Sequence, residues 1–243
     1  MIDHKKIYSN GIVLESSGST GPKKKIFQTP KKLQASRDVC LDAQNITKTS
    51  RIYTVCKISH AAGLLAQTLP ALSIGAHVDC VKFNAYNFIK DIRRYTHTHI
   101  TPLHALAIMK TKGFKHIDLT DITVVCGAEP VSWWTIQSFV EKGAKFIVNW
   151  GMTEIGPIAI NHKFSNISQV LQMQKFSPAH TTILGSRFYC DYEIRDQELY
   201  VKGDISVTNG WIPTGDLVEL QNDCLFFKGR KNSQLALFDL TKF

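Results

Sequence analysis

Ser16-Ser17-Gly18-Ser19-Thr20-Gly21-Pro22-Lys23-Lys24-Lys25 combines small hydroxyl residues, glycines and a lysine cluster. That is the chemistry of a polyphosphate cradle: glycines let the backbone approach the phosphate oxygens, hydroxyls donate to them and lysines neutralise their charge. A nucleotide is the ligand this pattern implies. The run follows the apolar Gly11-Ile12-Val13-Leu14 and precedes a helix expected to start near Thr29-Pro30, so it reads as a strand-to-helix loop. It is not a Walker loop, because counting from Gly18 the second glycine of G-x-x-x-x-G-K-[ST] would fall at Lys23. The competing reading is a flexible Ser/Gly linker followed by a solvated basic patch.

Beyond the loop, short β-branched runs alternate with longer amphipathic ones up to about residue 150. Expected strands are 52–56, 77–81, 98–101, 122–126 and 145–148, and expected helices 30–46, 61–73, 85–95, 103–112 and 131–142. This βαβ rhythm predicts an α/β fold, a mostly parallel sheet covered by helices on both faces, with ligands gathered at the carboxyl ends of its strands. After about residue 178 the rhythm changes to short strands at 181–184, 192–195, 198–201, 217–220 and 224–227, with turn signals at Asp196-Gln197 and Asn222-Asp223. The expected division is an α/β nucleotide-binding subdomain over 1–178, a small C-terminal β-rich subdomain over 179–228, and a hinge remnant over 229–243.

Composition narrows the function classes. A chain of 243 residues with 44% apolar residues suits one substantial core or two small ones. The start, Met1-Ile2-Asp3-His4-Lys5-Lys6, lacks the apolar core of a signal peptide, and the weakly polar stretch 61–76 falls short of a membrane span. A cytoplasmic location without a membrane partner is the expectation. The six cysteines form no C-x-x-C pair, so most are expected to be small buried hydrophobes, and His97 and His99 alternate as on a strand. The net charge of +9 is weighted toward the first 32 residues, with Lys5, Lys6, Lys23, Lys24, Lys25, Lys31 and Lys32. Only Tyr8 and Phe27 interleave with these lysines as stacking platforms, so a nucleic-acid partner ranks third among the readings.

Three more segments supply what the loop lacks: Asn149-Trp150-Gly151-Met152-Thr153-Glu154, Gly210-Trp211-Ile212-Pro213-Thr214-Gly215-Asp216-Leu217, and Gly229-Arg230. With S-S-G-S-T-G, in this order from Ser16 to Arg230, they resemble the adenylate-forming superfamily of acyl-CoA synthetases, peptide-synthetase adenylation domains and luciferases. The resemblance implies that Ser17, Ser19, Thr20 and Gly21 hold the β- and γ-phosphates of ATP. It implies a phosphate lysine too, but Pro22 follows Gly21 directly, so Lys24 keeps the usual distance from the glycine while Lys23 keeps the distance from the proline. Trp150 stands where a tyrosine usually stacks on adenine, and Gly151 where a glycine admits the substrate. Thr153 matches the α-phosphate contact, Glu154 the Mg2+ ligand, Asp216 the acceptor of both ribose hydroxyls, and Arg230 the arginine that closes on the ribose. Gly127-Ala128-Glu129-Pro130 resembles the segment lining the adenine pocket. His60 and Gly63 resemble the acyl-substrate segment, with His60 equally placed to cap the helix beginning there.

The pattern departs from the superfamily at both ends. Fifteen residues precede the loop where relatives carry a subdomain, and thirteen follow Arg230, where relatives continue into a mobile lid domain bearing a catalytic lysine. The hinge position two after the arginine, usually Asp or Lys, is Asn232. The expected activity is therefore ATP-dependent adenylation of a carboxylic acid to its acyl-AMP, without CoA ligation by these residues alone. A separate lid-domain or carrier protein and a homodimer are the expected partners. The alternative is a catalytically weak AMP- or acyl-adenylate-binding module.

Overall fold

The computed structural model describes residues 2–15 and 24–231. Helix α1 (His4–Asn10) leads into β1 (Ile12–Glu15), which pairs antiparallel with β2 (Lys25–Gln28) in a separate two-stranded sheet, Ile12 opposite Gln28. The Ser/Gly run therefore joins two strands of a hairpin and does not feed a helix directly. Lys25-Ile26-Phe27-Gln28 pairs as a strand although its first residue belongs to the lysine cluster.

Helix α2 (Pro30–Gln44) begins where the sequence predicts. The Thr29 side chain accepts from the Lys32 amide and Pro30 fills the first position, where its missing N–H costs nothing. After β3 (Arg51–Thr54), the stretch 61–73 is helical in three pieces: α3 (Ala61–Gly63), a π turn (Leu64–Thr68) and α4 (Leu69–Ser73). The chain continues through β4 (His77–Cys80), α5 (Ala85–Asp91), β5 (His97–Ile100), α6 (Pro102–Met109), β6 (Thr123–Gly127), α7 (Trp133–Val140), β7 (Lys145–Met152), β8 (Gly156–Phe164) and α8 (Ile167–Phe176). The remaining strands are β9 (Thr182–Gly185), β10 (Arg187–Phe188), β11 (Asp191–Arg195), β12 (Glu198–Lys202), β13 (Ile212–Gln221) and β14 (Cys224–Arg230).

Seven strands form the large sheet in the order β10-β8-β7-β6-β5-β3-β4, parallel from β4 through β7 and closed by antiparallel β8 and β10. Side-chain alternation sends Tyr53, Val124, Cys126, Phe146 and Val148 into a core shared with α5–α8. Ile52 points the other way, against Ala71 of α4 and Leu41 of α2. Helices thus cover both faces, as a parallel sheet requires. The second sheet, β11-β12-β13-β14-β9, is wholly antiparallel and packs on the first: its Ile183, Cys224 and Phe226 enter the large core. Its hairpin turns fall at Asp196-Gln197 and Asn222-Asp223, all four at positive φ, as the two-residue turns of tight hairpins require.

Of the cysteines, Cys40, Cys56, Cys126 and Cys224 are buried free thiols, Cys190 is half-buried and Cys80 exposed. Among the described residues no helix is long and apolar enough to cross a membrane, and no cluster of His, Cys, Asp or Glu is arranged to hold a metal ion.

Candidate nucleotide site

Asn149, Trp150, Gly151 and Met152 lie within β7, so the motif is the end of a strand and the hairpin turn that follows, not a loop beyond a shorter strand. Met152 pairs with Gly156 across that turn, leaving Thr153, Glu154 and Ile155 at its tip. Gly151 is fixed by packing: a Cβ there would collide with the Gly156 carbonyl oxygen. Gly127, at the end of β6, pairs with Asn149, and its Cβ would collide with the Asn149 carbonyl. Ala128 follows at φ 75°, and Ala128 and Glu129 are exposed.

The two sheets meet at Asp216. This residue sits in β13 directly opposite Arg230 of β14, and its side chain is 4% exposed while that of Arg230 is 50% exposed. Trp150 donates from Nε1 to Asp216 Oδ2 at 2.8 Å. Arg230 Nε lies 2.7 Å from Asp216 Oδ1, yet Oδ1 receives no aligned hydrogen bond among the described residues. The close approach is therefore an ion pair whose N–H points elsewhere, while Nη1 donates to the Thr214 carbonyl at 3.2 Å. Burial pushes the Asp216 carboxyl above the usual carboxylate range, and the Arg230 charge and the Trp150 bond pull it back. Trp150 also packs into the second core with Ile155, Ile160 and Leu184.

The part of β13 that carries Asp216 is held by its neighbour β12. Glu198, almost fully buried in β12, accepts from the Gly215 amide at 3.0 Å and from Lys231 Nζ at 2.7 Å, and the lysine bond holds its carboxyl below the usual range. Gly215 takes φ 74°, a conformation that favours glycine, so the T-G-D segment is an irregular stretch of strand β13.

At the β7–β8 tip the Thr153 carbonyl accepts from Lys32 Nζ at 2.8 Å and from Gln28 Nε2 at 3.2 Å, and the Glu154 carbonyl accepts from the Val207 amide at 2.8 Å. The backbone of the tip is thereby fixed at two successive residues. Among the described residues the Thr153 hydroxyl and the Glu154 carboxylate make no hydrogen bond or ion pair, while the Glu154 charge acts on nearby Lys32.

Ser17, Ser19, Thr20, Gly21 and Lys23 lie outside the described residues, as does Asn232; Lys24 is exposed at the start of the strand leaving the loop. His60 occupies the N-cap position of α3, but its side chain makes no capping bond. Gly63 has no room for a side chain, since a Cβ would collide with the Lys57 carbonyl. Gln28, Lys32 and Glu198 are not anticipated by motif reading. Lys32 had a usable signal, since it shares an i, i+4, i+8 stripe with Ser36 and Cys40 on the buried side of α2. A concavity of about 790 Å³ lies elsewhere, between α2 and the β10–β12 corner, lined by Ala35, Val39, Tyr189, Lys202 and Asn209 and by none of the motif residues.

The chain is 28% identical over 152 residues to indoleacetate–CoA ligase of Aromatoleum aromaticum, covering 61% of this chain and 30% of that protein. Its fold superposes on O-succinylbenzoate coenzyme A synthetase from Bacillus subtilis, solved with ATP and magnesium ion, with TM-score 0.73 at 20% identity, over 90% of this chain and 50% of that one. It also superposes on the inhibitor-bound N-terminal domain of FACL13 from Mycobacterium tuberculosis, with TM-score 0.73 at 18% identity, over 90% of this chain and 60% of that one. The chain thus spans less than two thirds of the length of each of these proteins. Residues 12–207 match the AMP-binding enzyme family, and with the motif residues gathered along β7, β13 and β14, this chain belongs to that family.

Proposed function

We propose that this chain binds ATP with Mg2+ and activates a carboxylic acid as its acyl-AMP. The observation that carries the reading is the Asp216 carboxylate, buried against Trp150 and Arg230 with Oδ1 lacking an aligned donor. Arg230 compensates the charge at Oδ1 but gives it no aligned hydrogen bond, and a ribose hydroxyl can donate one. In this reading Arg230 flanks the ribose and Trp150 and the 127–129 segment border the adenine. The free Thr153 hydroxyl donates to the α-phosphate, and Ser17, Ser19, Thr20, Gly21 and one of Lys23 or Lys24 hold the β- and γ-phosphates.

Glu154 is the residue that fits the metal, a carboxylate one position from the α-phosphate contact; Mg2+ bound there would neutralise phosphate charge. The substrate carboxylate oxygen forms a bond to the α-phosphorus and the bond to pyrophosphate breaks. Because the bonds are exchanged at phosphorus, the protein's part is positioning and charge stabilisation. His60, half-buried at the start of α3, borders the acid. We assign residues 1–178 to the nucleotide-binding subdomain and 179–228 to the β subdomain.

The test is calorimetry with AMP, followed by pyrophosphate exchange over a panel of fatty and aryl acids with indoleacetate among them. AMP binding that disappears in Asp216→Ala, with acid-dependent exchange, is the expected result. AMP binding without exchange for any acid would favour the binding-module alternative, and no AMP binding would sink both.

A further inference from the structure

We propose that Lys32 is a positioning residue for adenylation: its Nζ, bonded to the Thr153 carbonyl, locks the Thr153–Glu154 tip to the strand that leaves the phosphate loop. The catalytic part of this inference rests on the function proposed above; the clamp itself does not.

Lys32 is 2% exposed, and lysine is among the residues least often buried unless paired. Among the described residues no carboxylate lies within ion-pairing distance of it. Its two partners are both neutral oxygens, the Thr153 carbonyl at 2.8 Å and Gln28 Oε1. Gln28, itself fully buried, turns its Nε2 to the same Thr153 carbonyl at 3.2 Å. The two side chains therefore form a closed triangle on one backbone oxygen, and both of its lone pairs have a donor.

The position of this triangle in the chain gives it meaning. Gln28 is the last residue of β2, and Lys32 lies in the first turn of α2, whose N-cap is Thr29. Thr153 lies 125 and 121 positions further on. The bonds thus join the end of β2 and the first turn of α2 to the tip that carries Thr153 and Glu154. A methionine of similar length would fill the space without the cost of burying an amine, so volume alone does not explain a lysine here. Positioning does, because phosphoryl chemistry is sensitive to shifts of about 1 Å. Burial lowers the Lys32 pKa to about 7, while the neighbouring Glu154 charge opposes that shift. The clamp survives deprotonation, since a neutral amine keeps two N–H donors for its two oxygen partners.

The test compares wild type with Lys32→Met and Lys32→Gln by hydrogen exchange, AMP calorimetry and pyrophosphate exchange. In Lys32→Met, amide exchange over 153–156 should accelerate about tenfold while strands β5 and β6 stay protected. The AMP Kd should change less than about threefold, and kcat for pyrophosphate exchange should fall about 100-fold with KM for the acid unchanged. Lys32→Gln, which keeps an N–H donor, should recover part of both the protection and the rate. Unchanged protection over 153–156 would overturn the clamp. So would loss of protection and AMP binding throughout Lys32→Met with no recovery in Lys32→Gln, the behaviour of a mere core plug. Wild type without exchange for any acid would overturn the catalytic role together with the function reading, leaving the hydrogen-exchange comparison to decide the clamp.

Discussion

Trp150 Nε1 donates to Asp216 Oδ2 at 2.8 Å, joining the end of the large sheet to the small one across 66 positions of sequence. The indole N–H and the Arg230 charge hold one carboxylate from two sides, so the acceptor oxygens are oriented before any ligand arrives. Trp150→Phe keeps the ring's packing and removes the donor. A hydrogen bond to a charged group is worth about 1.5–3 kcal/mol, which predicts AMP binding weaker by roughly 10- to 100-fold. Titration calorimetry reads this directly, and an unchanged AMP Kd would show that the bond does not preorganise Asp216.

The same pair marks the limit of what the sequence made legible. Thr29-Pro30 announced α2, the βαβ rhythm announced the parallel strands, and Asp196-Gln197 and Asn222-Asp223 announced two hairpins, because each signal is local. β8 escaped because an antiparallel strand breaks that rhythm and Pro157 argues against a strand interior. The four motifs named candidate residues through a resemblance, yet the links among them depend on contacts between distant segments: Trp150 with Asp216, Gln28 and Lys32 with Thr153, Glu198 with Gly215. Lys32 is one of the seven lysines that weight the charge toward the first 32 residues, whereas the helix turns it inward and leaves Lys31 exposed.

Gly63 separates packing from substrate contact. A Cβ at this position would collide with the Lys57 carbonyl, a backbone atom that cannot swing away. Gly63→Ala should therefore destabilise the chain by about 1–3 kcal/mol, the usual range for overpacking. Urea unfolding should show the loss while AMP affinity at low temperature stays at the wild-type value. Selective loss of acid-dependent exchange at unchanged stability would instead make Gly63 a wall of the acid site.

Acid should destabilise the fold through its buried histidines. His99 Nδ1 donates to the Ala62 carbonyl at 3.1 Å, so the ring carries its proton there, and its buried Nε2 has no partner among the described residues. Burial lowers its pKa to about 4 in the folded state, below the unfolded value near 6.5. Between these values the unfolded chain binds more protons, so stability falls as pH drops from about 6.5 to 4, by roughly 1.4 kcal/mol per pH unit for each such group. His162, also lowered to about 4 by burial, adds to the slope. Urea unfolding across this window should show it, and His99→Gln should reduce the slope by about one proton; an identical slope would exclude His99 as a contributor.

The phosphate lysine is decided by comparing two nucleotides. Lys23 lies outside the described residues, and Lys24 is exposed where β2 begins just beyond the loop. Whichever of them meets the β- and γ-phosphates makes a charge-assisted bond that AMP cannot offer, since AMP ends at the α-phosphate. Single substitutions Lys23→Ala and Lys24→Ala should therefore leave AMP affinity unchanged, and one of them should weaken Mg-ATP by about 10- to 100-fold, the value of one hydrogen bond to a charged group. The other should have an effect within the small range of an exposed charge, shrinking further as salt is raised. Calorimetry with both nucleotides on both variants distinguishes the assignments. If neither substitution moves the ATP-to-AMP affinity ratio, the Ser/Gly run is a linker with a solvated basic patch and the polyphosphate lies elsewhere.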